Sequence, residues 1–222
     1  MSRRPAADAA LPTRLTWPAW AWMLVAVGGL TVLRVALLFV TDLQLYGDEA
    51  QYWTYGEELA FGHYSKPPMV GWLAKLTTEI GGLTEAWVRL SSPLCHAAAA
   101  LLLYALARRL YDESTALLAG VLYVSLPAVS YASLLLSTDT PLLLFWVLGL
   151  LSLWRLYEGG SLAWAAGLGI ALGGGLLSKY AMGYLIVGIV VFAAISPAGI
   201  SPLARRPSAR KPSTATPKAA TV

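Results

Sequence analysis

Charge and cysteine are what this sequence has least of. Only 13% of its 222 residues are charged, about half the ~25% of an ordinary soluble domain. That is too little to coat a water-exposed surface of this size. A single cysteine, Cys95, excludes a disulfide scaffold. The composition is neither collagen-like nor that of a disordered chain. Histidine is equally scarce: His63 has no partner histidine for a metal, and His96, beside Cys95 in an alanine run, has packing as its default role. No internal repeat and no soluble Gly-rich nucleotide-binding pattern is present. What is abundant is apolar: 57% of residues are hydrophobic and the mean hydropathy is +0.61. The class is an all-α integral membrane protein, with length for about six spans of ~20 residues.

The apolar runs separate cleanly. The first, Trp17–Val40, carries one charge, Arg34. It is too long for a signal-peptide core and no small-residue cleavage site comes after it, so it reads as an uncleaved anchor. Arg34 within it either pairs with an acid in the bundle, marks a substrate path or lies near a tilted helix end. Further spans are predicted at Val88–Ala107, Ser114–Leu136, Pro141–Leu156, Leu162–Leu177 and Ala181–Ile195. The last three are short enough to imply tilting, local thinning of the bilayer or an incomplete bundle. Pro127 should kink the third. Gly169, Gly173, Gly174 and Gly175 give the fifth a small face for close helix packing.

If six spans alternate, eleven of the sixteen basic residues fall on one side: Arg3, Arg4, Arg14, Arg108, Arg109, Arg155 and five more after residue 195. The positive-inside rule makes that side cytoplasmic, with both termini there. The chain then divides into a cytoplasmic N-terminus (1–16), a membrane domain (17–195) and a basic tail (196–222). The tail has proline every five residues from Pro197 to Pro217. It has too little apolar surface to fold and is predicted to be disordered, either as a solvated tail with no specific partner or held by its charge near anionic lipid headgroups. The net charge of +4 reflects this asymmetry and implies no nucleic-acid partner.

The loop 41–87 is extracytoplasmic on this topology and holds seven acids against Lys66 and Lys75. Tyr52, Trp53, Tyr55 and Leu59 have helical spacing within 48–61, where Gly62 would end the helix. Met69, Trp72, Leu73, Leu76 and Ile80 repeat the pattern after Pro67-Pro68. Two amphipathic helices on the membrane surface satisfy both patterns. Asp48-Glu49 opens the first, where the helix dipole favours carboxylates and partial burial can tune a general base. Lys66 at its rigid turn either snorkels or meets a lipid phosphate as a point charge. Asp139, in Ser137-Thr138-Asp139-Thr140-Pro141, returns to the same face. There Thr138 or Asp139 also has the grammar of a helix N-cap. Arg89 and Lys179 join them. Acids to activate a hydroxyl (Asp48, Glu49, Asp139) thus meet cations to hold a departing phosphate (Lys66, Arg89, Lys179).

The ordered set Gly47-Asp48-Glu49-Ala50-Gln51-Tyr52-Trp53, Gly62-His63-Tyr64-Ser65-Lys66-Pro67-Pro68, Glu85 to Leu90 and Asp139-Thr140-Pro141-Leu142 resembles the N-terminal half of a known family. That family is the GT-C-type bacterial glycosyltransferases that use polyprenyl-phosphate sugars, which includes aminoarabinose transferases, Rgt-like galacturonosyltransferases and relatives of the protein O-mannosyltransferases. The resemblance implies a transferase of the bacterial inner membrane. Its donor is a polyprenyl-phosphate sugar, and its acceptor is a lipid, glycan or protein at the outer face. It matches the catalytic aspartate to Asp48, the neighbouring acid to Glu49, the donor-phosphate lysine to Lys66 and the second outer-loop aspartate to Asp139. In several members the residue before that lysine is acidic and can ligand a divalent metal; here it is Ser65, and no metal ligand is assigned. Family members carry about twice as many spans. Two other readings therefore stand beside the enzyme. One is a truncated, non-catalytic fragment or a subunit completed by a partner chain; the other is a small transporter.

Overall fold

Backbone amides in apolar surroundings must be satisfied within their own segment, so long apolar runs fold as helices. The computed structural model describes residues 17–195 and contains no strand among them. The helices are α1 (Ala19–Val40), α2 (Gly47–Glu57), α3 (Met69–Gly81), α4 (Glu85–Arg89) and α5 (Ser91–Leu110), then α6 (Glu113–Ser125), α7 (Pro127–Ala132), α8 (Asp139–Tyr157), α9 (Leu162–Ser178) and α10 (Met182–Ile195). Three segments are long and apolar enough to cross a membrane: α1, the continuous stretch Glu85–Leu110, and α8. The runs α6, α9 and α10 are helical where expected but shorter, at 13, 17 and 14 residues. The N-terminal arginines and the Pro-rich tail lie outside the described residues.

The third run departs most from expectation. Pro127 does more than kink it: Leu126 is extended (φ −56°, ψ 135°), and Pro127 starts α7 as its first residue. A proline has no N–H to continue the ladder, and its fixed φ suits a first turn. The segment from Ser133 to Thr138 then leads back to α8.

Two clusters form the bundle. Met23 and Val27 of α1 pack with Ala100, Tyr104 and Ala107 of α5 and with Ala116 and Val124 of α6. Leu142 of α8 packs with Met182 and Leu185 of α10, with Phe145 and Leu172 against them. Only part of the small face expected on α9 is used. Gly174 lies under the Phe145 ring and Gly175 against Met182, whereas Gly169 and Gly173 face open space.

At one end α2, α3 and α4 close over the bundle around Tyr52, Val70, Ala74, Val88 and Leu136. Here one expectation changes: α2 ends at Glu57 rather than running to Phe61. The Ala60 carbonyl accepts from Trp72 Nε1 at 3.2 Å, and the Phe61 ring meets Trp72 edge-on, which turns the chain back onto α3. On α3 the face turned into the protein is Val70, Gly71, Ala74, Thr77 and Thr78, while Leu76 and Ile80 of the apolar stripe stay exposed. Small residues win that face because α2 and α3 cross backbone to backbone. A Cβ on Gly56 would stand 2.7 Å from the Gly71 carbonyl oxygen.

Gly56→Ala should therefore force the two helices apart and cost about 1–3 kcal/mol, the usual penalty of overpacking. A thermal-unfolding midpoint in detergent should fall accordingly. Gly62→Ala, whose added methyl meets nothing within 4 Å, should leave it unchanged.

Candidate functional site

The site begins with a buried ion pair. Glu49, in the first turn of α2, is 1% exposed, and Arg89, the last residue of α4, is 5% exposed. Arg89 Nε donates to Glu49 Oε1 at 2.9 Å and Nη2 to Oε2 at 2.7 Å, a two-point fork. Backbone groups fill the other two acceptor positions of Glu49 and take two further donors of Arg89. Leu136 N–H donates to Glu49 Oε1 at 2.8 Å and Tyr46 N–H to Oε2 at 2.9 Å. Arg89 Nη1 donates to the Leu43 carbonyl at 2.8 Å and Nη2 to that of Gln44 at 2.9 Å. Burial alone would raise the Glu49 carboxyl. The bonds from Arg89, Leu136 and Tyr46, with the Arg89 charge, outweigh it and hold the group below its ordinary value. Glu49 and Arg89 are thus committed to each other and to the chain around them.

Asp48 precedes Glu49 but faces the other way. One helical residue turns the side chain by about 100°, and Asp48 is exposed, with no hydrogen bond or ion pair among the described residues. One turn on along that face is Tyr52, buried in the outer cluster. Its phenol is pushed up by burial and then by the charges of Asp48 and Asp139, so both carboxylates bear on one ring. Asp139, the first residue of α8, has the sequence grammar of either a cap or a site acid. The α8 N-terminus has no side-chain cap bond; instead Lys179 Nζ, just past α9, donates to both Asp139 oxygens at 2.7 and 2.9 Å. That pair is solvent-accessible, with side-chain exposures of 42% for Lys179 and 55% for Asp139.

Lys66 is held by a stacked loop. The His63 imidazole lies flat on the Tyr55 ring, with centroids 4.1 Å apart and a 6° tilt. The Tyr55 hydroxyl accepts from Gln51 Nε2 at 2.9 Å and lies 3.2 Å from Ser65 Oγ. His63 N–H donates to the Lys66 carbonyl at 3.2 Å, closing the turn. Lys66 itself is half-buried and makes no ion pair among the described residues. His63 is therefore a stacking residue here. Asp48, Tyr52 and Tyr55 share one face of α2, so Lys66 stands at one end of that face and Asp48 at the other.

Asp48 and Asp139, the latter paired with Lys179, thus both bear on Tyr52, the loop carrying Lys66 lies on Tyr55, and Glu49 and Arg89 form a buried pair. Tyr52 passed in the sequence as one apolar position among several; its spacing of four from Asp48 was the available signal. The Leu136 amide carried no signal, because nearly every residue has one. Among the described residues no three His, Cys, Asp or Glu side chains gather as a metal site would require. A cleft of about 450 Å³ opens beside the site, between the end of α1, the segment Thr41–Gln44 and the start of α4.

Comparisons with known proteins bear on the family of the chain. The dolichyl-phosphate-mannose-protein mannosyltransferase family matches residues 65–209. The chain is 37% identical over 166 residues to lipid A galacturonosyltransferase RgtD of Rhizobium johnstonii, covering 74% of this chain and 35% of that protein. It is 30% identical over 190 residues to the undecaprenyl phosphate-alpha-4-amino-4-deoxy-L-arabinose arabinosyl transferase of Pseudomonas paraeruginosa, covering 75% and 33%. It therefore spans about a third of the length of these relatives, in their N-terminal part. No solved structure matches. With the family matched over well more than half of its length, the chain belongs to the dolichyl-phosphate-mannose-protein mannosyltransferase family of membrane glycosyltransferases.

Proposed function

We propose that this chain carries the donor and base half of a glycosyltransferase that moves a sugar from a polyprenyl phosphate to a lipid, glycan or protein acceptor. The observation that carries the reading is the free Asp48 carboxylate, presented beside the Asp139–Lys179 pair on a helix pinned by Glu49 and Arg89. Asp48 takes the proton of the acceptor hydroxyl as that oxygen attacks the anomeric carbon. The bond from that carbon to the phosphate oxygen breaks, and the lipid phosphate leaves with the electron pair. Attack opposite the leaving group inverts the anomeric centre. Lys66 and Lys179 receive the developing phosphate charge. Arg89, with four hydrogen bonds already made, acts through Glu49 as a positioning residue, and Glu49 likewise positions Asp48. The relatives named for undecaprenyl-phosphate and lipid A chemistry support a lipid-linked donor and a lipid acceptor.

In this reading the six apolar runs all cross or enter the plasma membrane of a bacterium. The basic end, where Glu158 pairs with Arg109 at 3.2 Å and Arg155 at 3.5 Å, faces the cytoplasm, and the site faces outward. The exposed Leu76 and Ile80 of α3 then rest on the outer lipid surface.

Asp48→Asn should lower transfer from a polyprenyl-phosphate sugar by about 10²–10⁴-fold, the range of a lost general base, with membrane insertion intact. Activity within tenfold of wild type would remove Asp48 from the role. Lys66→Gln and Lys179→Gln should each raise the donor KM by about tenfold, one lost phosphate contact being worth about 1.4 kcal/mol; an unchanged KM in both would reassign the phosphate site. Glu49→Gln should act on stability instead. Stranding the buried Arg89 charge costs about 3–5 kcal/mol, read as a lower thermal midpoint at pH 7. The Glu49 carboxyl is lowered on folding, so its contribution is complete above the ordinary value of 4.5 and is lost as pH falls through the folded value. The acid limb of stability should accordingly be shallower in Glu49→Gln than in wild type.

A further inference from the structure

Arg34 is a guanidinium with 4% exposure in a helix apolar enough to cross a membrane. No carboxylate among the described residues pairs with it. Its Nη2 donates to the Val124 carbonyl and, at 2.9 Å, to Ser130 Oγ. The reason lies in the break at Leu126-Pro127. In a continuous helix the Val124 carbonyl would accept from the amide four residues on. The extended Leu126 and the new start at Pro127 remove that partner. The negative end of α6 is thus left inside the bundle, where a cation on α1 satisfies it. One nitrogen spans the break, holding the end of α6 and the body of α7 together. His96 Nδ1 on α5, 2.9 Å from the Tyr123 hydroxyl, ties the same end of α6 a second time.

Residues 133–139, directly after α7, complete the candidate site. Ser133 Oγ caps back onto Val129 O at 2.6 Å, the Leu136 amide reaches Glu49, and Asp139 opens α8 toward Lys179. The geometry points to Arg34 as a positioning residue: by clamping the α6–α7 break it sets the place of residues 133–139, and through them the Leu136–Glu49 bond and Asp139. The clamp stands on geometry alone; its consequence for transfer rests on the function proposed above.

The full-length chain in lipid nanodiscs tests both halves separately. Hydrogen–deuterium exchange over 133–138 needs no turnover. Arg34→Gln should speed exchange there by about tenfold while α8, α9 and α10 keep their protection. Arg34→Lys, which retains a cation and a donor for the Val124 carbonyl, should restore most of it. Unchanged exchange at 133–138, an equal rise throughout α8–α10, or a lysine variant no better than glutamine would each overturn the clamp. Should Arg34→Gln fail to insert, Ser130→Ala keeps the arginine and should still raise exchange at 133–138 alone; no rise there would overturn the clamp as well. In transfer assays the losses of Arg34→Gln and Asp139→Asn should combine to less than their product, since both act through one segment; a full product would overturn the link to transfer. Failure of the Asp48 variant test leaves the exchange result standing.

Discussion

Everything at the site end hangs on the Glu49–Arg89 pair. Two charges taken out of water carry a desolvation penalty of several kcal/mol each, and mutual attraction offsets it only when the remaining hydrogen-bonding positions are filled. Here the filling is done by backbone: the carbonyls of Leu43 and Gln44 and the amides of Tyr46 and Leu136. The pair can therefore exist only if separate stretches of chain converge on it. That requirement makes it a geometric constraint rather than a source of net stability. It fixes the entry of α2, and a helix whose first turn is fixed has no freedom in where its next side chains point. Asp48 faces outward because Glu49 faces inward.

The body of the bundle and the cap that α2, α3 and α4 form over it are held by different physics. Between helices in a bilayer, lipid is as apolar as leucine, so association relies on close packing and on polar groups with nowhere else to go. The Phe145 ring over Gly174 is of the first kind; Arg34 on the Val124 carbonyl is of the second. At the site end, water is the competitor and burial of Tyr52, Val70, Ala74, Val88 and Leu136 regains its ordinary driving force. The backbone crossing at Gly56 and Gly71 then lets α2 lie close enough for that cluster to form.

Apolar runs translate almost directly into helices, so α1, α5, α8, α9 and α10 were legible to within a few residues. That Asp139 and Lys179 share a face, and that Glu49 and Arg89 do, was legible because each sits at a junction between a helix and a loop. Two things were not. The division of labour within Asp48-Glu49 depends on Arg89, forty residues away, and adjacent carboxylates look alike without it. The partner of Arg34 is a carbonyl exposed by a helix break. A proline announces such a break, but nothing in the sequence names the side chain that will answer it.

Exposure decides which cations can take part in chemistry. The Lys179–Asp139 pair is open to solvent, and such pairs are worth about 0–1 kcal/mol, so an arriving phosphate can displace the carboxylate from Lys179 at little cost. Displacing Glu49 from Arg89 would strand a buried charge at about 3–5 kcal/mol and release Leu136 and Tyr46 as well. A phosphate would have to supply all of that before gaining anything. On the proposed reading Asp139 keeps Lys179 extended toward the site while no donor is bound, and gives it up when one arrives. Arg89, the cation best suited to a phosphate by its fork, is withheld by the pair it maintains, and on the same proposed reading the donor is left to two lysines that bind as point charges.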